Sequence, residues 1–242
     1  MDDGTADDKS IYVSGAYWDE NASMHLEDSD FKVSHALKLL AENNIRPQSI
    51  IDCGCGAGRV SFRFAEAFDV QTTGLDVSSQ AVEAAKSLHT NDRLCYRVGA
   101  IAAEPDGAVD LGLMFDVFEH VDDYLGFLRA AKQKARYWLF NVPLDMSVMH
   151  VWDGTYMQRR QSVGHLHYFS EDSARATLVD AGYTIINDAL AGYHDLTIAA
   201  AQGWKQKLRH MPGKWLYRVA PSTSVRLFGN ASLMVLCGPD DG

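Results

Sequence analysis

Two histidines spaced one residue apart, in Gly164-His165-Leu166-His167-Tyr168-Phe169-Ser170, are the side chains of this sequence best suited to move a proton near neutral pH. In an extended segment alternate residues share a face, so His165, His167 and Phe169 point one way and Leu166 and Tyr168 the other. One of these faces can look into an acceptor pocket, which makes His165 and His167 candidate general bases and Tyr168 a candidate substrate contact. The alternative is that each histidine bonds across a long loop and holds it. His120 and Asp116 stand behind them as further proton acceptors. His120, next to Glu119, either lines the same cleft or simply ends a strand.

A second constellation suits ligand binding. Residues 50–58 read Ile-Ile-Asp-Cys-Gly-Cys-Gly-Ala-Gly. Glycines at 54, 56 and 58 tolerate positive φ and let backbone approach a ligand closely. Dinucleotide-binding proteins use a similar turn, but their third glycine belongs at the position held here by Arg59, one residue after Gly58. Asp52 stands immediately before the loop, where an acid suits a positively charged ligand better than a pyrophosphate. Asp76 ends the next apolar run, where a carboxylate can accept hydrogen bonds from both hydroxyls of a ribose. The bland alternative for the glycines is a tight strand-to-helix turn with no ligand.

These residues need a scaffold that brings strand ends together. From Ser49 to Val142 short apolar runs alternate with amphipathic stretches, the pattern of a parallel sheet covered by helices. The spacing predicts strands at 49–53, 70–76, 94–98, 109–115 and 137–142, with helices at 58–68, 79–88 and 122–134. An earlier helix carries apolar residues at 33, 36, 37, 39 and 40 and ends before Pro47. After Pro143 an irregular stretch is expected to run to Phe169 and to carry specificity. Ser170 then caps a helix closed by Gly182, a strand begins at 183–187, and a last strand fits 232–237, leaving 195–230 as an insertion.

Composition sets the outer limits. The chain has 242 residues, 47% of them hydrophobic and 22% charged, which suits one α/β domain over 11–242 behind an acidic flexible tail at 1–10. A net charge of −10 argues against gripping nucleic acid as a whole. The tail lacks the apolar segment of a signal peptide, and no run approaches the length of a membrane span, so a cytoplasmic protein is expected. Cysteines at 53, 55, 95 and 237 are expected to be reduced thiols. Residues 201–230 hold six Lys and Arg and no Asp or Glu, interleaved with aromatics. This basic segment either meets an anionic acceptor or membrane surface or pairs with acids elsewhere on the chain. Nothing in the sequence sets the oligomeric state.

Taken in order, Tyr17-Trp18-Asp19, the loop at 52–58, Gly74-Leu75-Asp76-Val77-Ser78, Phe118-Glu119-His120-Val121 and the segment 164–170 make the chain similar to the class I S-adenosylmethionine-dependent methyltransferases. Within them it resembles the small-molecule O-methyltransferases of the ubiquinone-biosynthesis type and those of bacterial polysaccharide and biosynthetic clusters. The resemblance implies a Rossmann-like sheet, mostly parallel with a reversed last strand and helices on both faces. It implies S-adenosylmethionine as cofactor, contacts from Asp52, Gly54, Gly56 and Gly58, and a ribose contact from Asp76. Asp116 is expected near the cofactor, and Tyr17 either in the core or over the cofactor as a lid. Where the family commonly has an acid that receives the adenine amino group, this chain has Ala100, so adenine would rely on backbone near Ile101 and on apolar packing.

The acceptor stays open. A small molecule or glycan methylated on oxygen is the leading expectation, with an amine metabolite, a non-catalytic cofactor-binding module and a nicotinamide-dependent oxidoreductase as alternatives. The fourth strand ends Phe115-Asp116-Val117-Phe118, unlike amino-methylating DNA enzymes, and has no Pro-Cys nucleophile. The fifth ends Phe140-Asn141-Val142-Pro143, without the Asp-Asn pair of magnesium-dependent catechol-type enzymes, so no metal is expected.

Overall fold

The computed structural model describes residues 25–201 and 203–239. The acidic tail, the start of structure near Tyr12–Trp18 and the contact expected from Tyr17 lie outside the described residues. Helix α1 (His25–Glu42) leads into β1 (Ser49–Cys53), α2 (Arg59–Phe68), β2 (Gln71–Asp76), α3 (Ser79–Leu88), β3 (Leu94–Val98), β4 (Val109–Phe115), α4 (Tyr124–Lys132) and β5 (Ala135–Pro143). Then come α5 (Val148–Asp153), α6 (Thr155–Ser162), α7 (Glu171–Asp180), β6 (Thr184–Gly192), α8 (His194–Ala200), α9 (Trp204–Val219), α10 (Pro221–Phe228) and β7 (Ala231–Gly238).

The seven strands form one sheet in the order β3-β2-β1-β4-β5-β7-β6. Strands β1 to β5 pair in parallel, whereas β7 runs antiparallel to both β5 and β6. The reversed last strand is therefore present. Side-chain parity divides the core by face. Ile51, Cys53, Met114, Trp138, Phe140, Val142, Leu233 and Val235 pack with Leu128 of α4 and Ala174 and Leu178 of α7. Ile50, Leu111, Leu113, Leu139, Met234 and Leu236 pack with α1 and Phe64 of α2. Each central strand thus buries both faces, which explains why Val109–Phe115 is apolar nearly throughout.

Strand order reverses between β1 and β4, and in such sheets the crevice outside the strands' carboxyl ends binds ligands. Glycines, Asp76 and Asp116 all sit at those ends.

The stretch after Pro143 is not irregular: it contains α5 and α6. Ser147 accepts a hydrogen bond from the His150 N–H and starts α5, and Gly154, at φ 74°, turns the chain into α6. Both helices escape periodicity analysis for a physical reason. Of the apolar residues of α5, Val148, Val151 and Trp152 are exposed and Met149 is half-buried, and α6 is polar. Helix α7 starts at its expected cap, with Ser170 and Ser173 bonding reciprocally. Strand β6 begins within the expected 183–187 and runs to Gly192, with a register shift between Ile185 and Asn187. The insertion before β7 folds as α8, α9 and α10. Among its described cations, Lys214 pairs with Asp195, and Arg226 bonds Asp172 at 2.8 Å. No helix among the described residues is long and apolar enough to cross a membrane.

Candidate active site

The carboxyl ends of β1, β2 and β4 open into a cavity of about 790 Å³, large enough to enclose a drug-sized ligand. Gly54 and Gly56 line it, with φ of 74° and 52°. A Cβ on Gly54 would stand 2.6 Å from Val117 Cγ2, so the loop and the segment after β4 close on each other only because that side chain is absent. Gly58 serves packing instead. Its Cβ would fall 2.4 Å from the Tyr96 hydroxyl, which donates to the Gly58 carbonyl at 3.0 Å, and Gly58 is not among the cavity-lining residues.

Asp76 accepts from the Gly56 N–H at 3.0 Å and the Ser78 N–H at 2.8 Å, tying the glycine loop to the start of α3. Each carboxylate oxygen keeps a lone pair for a ligand. Burial raises its pKa, with backbone N–H groups opposing. Asp52 is buried to 1% exposure and accepts from Ser61 Oγ at 2.5 Å. Burial pushes its pKa to about 7, the Ser61 hydrogen bond opposes this, and the Asp76 charge adds to it. Ile101 is buried at the start of a 3-10 turn and lines the cavity beside Gly99 and Ala100, offering an apolar wall where an acidic contact is missing.

The far wall comes from β4, β5 and the segment before α7. Asp116 takes φ 54°, tolerable for an aspartate, and its carboxylate receives Asn141 Nδ2 at 2.6 Å and Lys32 Nζ at 2.5 Å. Burial works against the Lys32 ammonium, but Asp116, Tyr193 and Asp28 outweigh it and hold its pKa well above the ordinary lysine value. The Glu119 carbonyl accepts from the N–H groups of Leu166 (2.9 Å) and His167 (3.1 Å), docking the histidine segment onto the turn after β4.

That docking separates the two histidines. His165 is buried, lines the cavity and gives its Nδ1 proton to Asp145 Oδ2 at 2.6 Å. Its ring meets that of His120 edge-on, 4.9 Å between centroids. Burial raises the Asp145 pKa, but the His165 hydrogen bond and the Arg159 charge prevail and bring it below the usual carboxylate value. His120 also lines the cavity, and its Nδ1 donates to the Gly164 carbonyl at 3.1 Å. Burial, with the His165 charge next, depresses its pKa to about 4, so the ring is neutral at pH 7.

His167 and Tyr168 do not line the cavity. His167 Nε2 donates to the Val121 carbonyl at 3.0 Å and its ring lies 4.5 Å from that of Tyr124. The Tyr168 hydroxyl donates to the His165 carbonyl at 3.1 Å. Both hold the segment that presents His165. The structure thus brings together Asp52, Gly54, Gly56, Asp76, Ile101, Asp116, His120 and His165 around one cavity. It leaves Gly58, His167 and Tyr168 as supports.

Sequence reasoning passed over Asp145, Arg159, Lys32 and Tyr193, all cavity-lining. Asp145 carried a usable signal, an acid two residues beyond a strand end in a site that wants a histidine oriented. Lys32 carried none, since its pairing with Asp116 spans 84 residues.

With this geometry in view, likeness to known proteins is informative. The family model described as "Methyltransferase domain" matches residues 26–187. The chain belongs to that family, the class I S-adenosylmethionine-dependent methyltransferases. Among curated proteins it is 30% identical over 140 residues to a ubiquinone biosynthesis O-methyltransferase of Nitrosospira multiformis, covering 53% of this chain and 55% of that protein. It is 31% identical over 90 residues to an ajmaline N-methyltransferase of Rauvolfia serpentina, covering 35% of this chain and 31% of that one. The chain thus spans about half or less of these relatives' length. Among solved structures, magnesium protoporphyrin IX methyltransferase from Synechocystis, with bound SAH, superposes with TM-score 0.62 at 14% identity, covering 95% of this chain and 96% of that one. A chain from a Haloferax volcanii complex of the Trm112 methyltransferase activator gives 0.68 at 16% identity, covering 95% and 97%. At such identities the structural likeness speaks for the fold alone.

Proposed function

We propose that this methyltransferase acts on an oxygen of a small-molecule or glycan acceptor, with His165 as the proton acceptor. When bound, adenosylmethionine supplies a methyl group on a sulfonium, whose positive charge is lost as the methyl leaves. Asp52 would meet its ammonium, Asp76 its ribose hydroxyls, and Ile101 would pack against its adenine. In the transfer of that methyl group to the acceptor oxygen, with the carbon–sulfur bond pair left on sulfur, His165 would take the hydroxyl proton on Nε2.

The observation that carries this reading is the buried His165–Asp145 pair at the cavity wall. Asp145, as a carboxylate, only accepts, so Nδ1 of His165 bears a proton and Nε2 holds the lone pair. An amine acceptor would need no oriented base of this kind. Most of the remaining catalysis is alignment in a dry site. Incubating a cell extract with methyl-deuterated cofactor and this protein is expected to yield a mass-shifted product carrying its label on oxygen. A product labelled only on nitrogen would favour the reading suggested by the N-methylating relative.

A further inference from the structure

We propose that helix α9 lies on an anionic lipid surface, with its exposed apolar stripe in the headgroup layer and its cations on the lipid phosphates. Leu208, Met211, Trp215 and Val219 recur every three or four residues and so share one face of the helix. Leu208, Trp215 and Val219 leave 61%, 59% and 80% of their surfaces open to solvent, and Met211 is half-buried.

The opposite face is the one that holds α9 to the fold. Gly213 and Tyr217 each stand two residues from Trp215, about 200° around the helix axis. Gly213 is buried against His194, where an added Cβ would meet the imidazole Cε1 at 3.2 Å. The Tyr217 hydroxyl donates to the Leu190 carbonyl at 3.2 Å, and its ring lies 5.0 Å from that of His194. Packing is thus complete on one side while the apolar stripe faces water on the other. A surface helix of a globular protein ordinarily turns such a stripe inward, and contiguous apolar surface left outside marks an interaction site.

Charge decides what the stripe meets. Helix α9 contains Lys205, Lys207, Arg209, Lys214 and Arg218 and no acid, in a chain whose net charge is −10. An anionic surface therefore repels most of the protein and attracts this helix, which sets the orientation of approach. Lys214, paired with Asp195, and Arg218 stand on the same flank of the stripe, within about 100° of Trp215. The Arg218 guanidinium lies 5.4 Å from the centre of the Trp215 ring. Tryptophan beside cations suits the headgroup boundary, where the ring occupies the interfacial layer and the basic groups reach phosphate. A helix of this pattern lies in the plane of the interface and does not span it.

Helix α8 packs against α9 and lines the cavity with Leu196, Thr197 and Ala200, so docking holds the cavity beside the bilayer. It is independent of which acceptor atom is methylated.

Sedimentation of the full chain with vesicles is the test. Vesicles of phosphatidylcholine mixed equally with phosphatidylglycerol should bind it ~10-fold or more tightly than phosphatidylcholine alone, and salt should weaken that binding. Leu208→Ser combined with Trp215→Ser should lower the affinity by on the order of 10- to 100-fold, because the apolar area that enters the interface is lost. Arg218→Glu should lower it at low salt and much less at high salt. Adenosylhomocysteine binding by calorimetry certifies that each variant is folded. Unchanged vesicle affinity in the double variant, or equal affinity for the two lipid compositions, overturns the proposal. So does a wild-type protein that binds adenosylhomocysteine but no vesicle, which leaves a protein partner as the occupant. Self-association in the absence of lipid that the double variant loses would mean that a second copy covers the stripe, and also ends the lipid reading.

Discussion

The two halves of the cavity are built on opposite plans. On the side of β1 to β3, polar groups close on the chain itself: Asp76 on the N–H groups of Gly56 and Ser78, Asp52 on Ser61. Its turns need glycine, and its strand ends are adjacent in sequence. Beyond β4, side chains pair with side chains instead of with loop backbone, one of them across 84 residues, and one carboxylate is left without a hydrogen bond. Asp116 sits at positive φ between Lys32 and Asn141, Asp145 holds His165, and Glu119 lies buried without a hydrogen bond. The first half is a rigid receptacle that any enzyme using this cofactor can share. The second presents the buried His165–Asp145 pair to the other end of the cavity. Substitutions in the first half should therefore change cofactor affinity, and substitutions in the second should change turnover.

The largest effect expected is on turnover. His165→Ala should lower kcat by ~10²–10⁴-fold at saturating cofactor while calorimetry shows adenosylhomocysteine bound as tightly as before. His167→Ala loses one hydrogen bond to the Val121 carbonyl and its packing on Tyr124, which should cost about 1 kcal/mol of stability and little turnover. Equal losses of kcat in the two variants would erase the distinction the structure draws between them.

Next in size is the loss of a ligand contact in the receptacle. Asp76→Ala removes a charge-assisted acceptor worth ~1.5–3 kcal/mol, so affinity for adenosylmethionine should fall roughly 10- to 150-fold. Unchanged affinity would show that Asp76 serves only the loop it ties down.

The contrast between halves also explains what could be read from the sequence. The glycine loop, Asp52 and Asp76 were legible because their roles depend on local backbone: a strand, a turn and a helix cap within 30 residues. The sheet followed from the same local alternation. Pairing of Lys32 with Asp116 crosses 84 residues and leaves no periodic trace, and Asp145, the partner of His165, stands just before helices that the periodicity does not show. His165 and His167 looked equivalent because alternation puts both on one face. The Glu119 carbonyl breaks that equivalence by capturing two successive N–H groups, and only tertiary structure reveals it. Helices α5 and α6 were hidden because α5 turns most of its apolar residues to solvent.

A smaller and pH-dependent effect should mark Asp52. Its pKa is 3.8 in an unstructured chain and about 7 when buried in the apo fold. The folded state therefore holds this proton more tightly, and the group's contribution to apo stability falls as pH rises from about 4 through about 7. Asp52→Asn should flatten that part of the melting-temperature profile. Ligand binding has the opposite sign, because the ammonium favours the ionised acid. Affinity for adenosylhomocysteine should rise about tenfold between pH ~6 and pH ~8, from roughly one-tenth to nine-tenths ionised. A flat affinity over that window would remove Asp52 as the ammonium partner.

The smallest effects are expected outside both halves, in the basic segment 201–230. Lys214 and Arg226 are already paired, with Asp195 and Asp172, and exposed pairs of this kind contribute ~0–1 kcal/mol each. The carboxylates of these pairs are largely exposed, 79% and 72%, so water and salt screen them and neither helix depends on them. Lys214→Ala and Arg226→Ala should accordingly melt within a few degrees of wild type and leave kcat and acceptor KM unchanged. The sharper variant reverses Lys205, Lys207 and Arg209 to Glu. If the segment only covers the fold, acceptor KM stays the same at low and high salt. An acceptor KM that rises tenfold or more at low salt and recovers at high salt, with cofactor affinity constant, would instead mean that the segment meets an anionic acceptor.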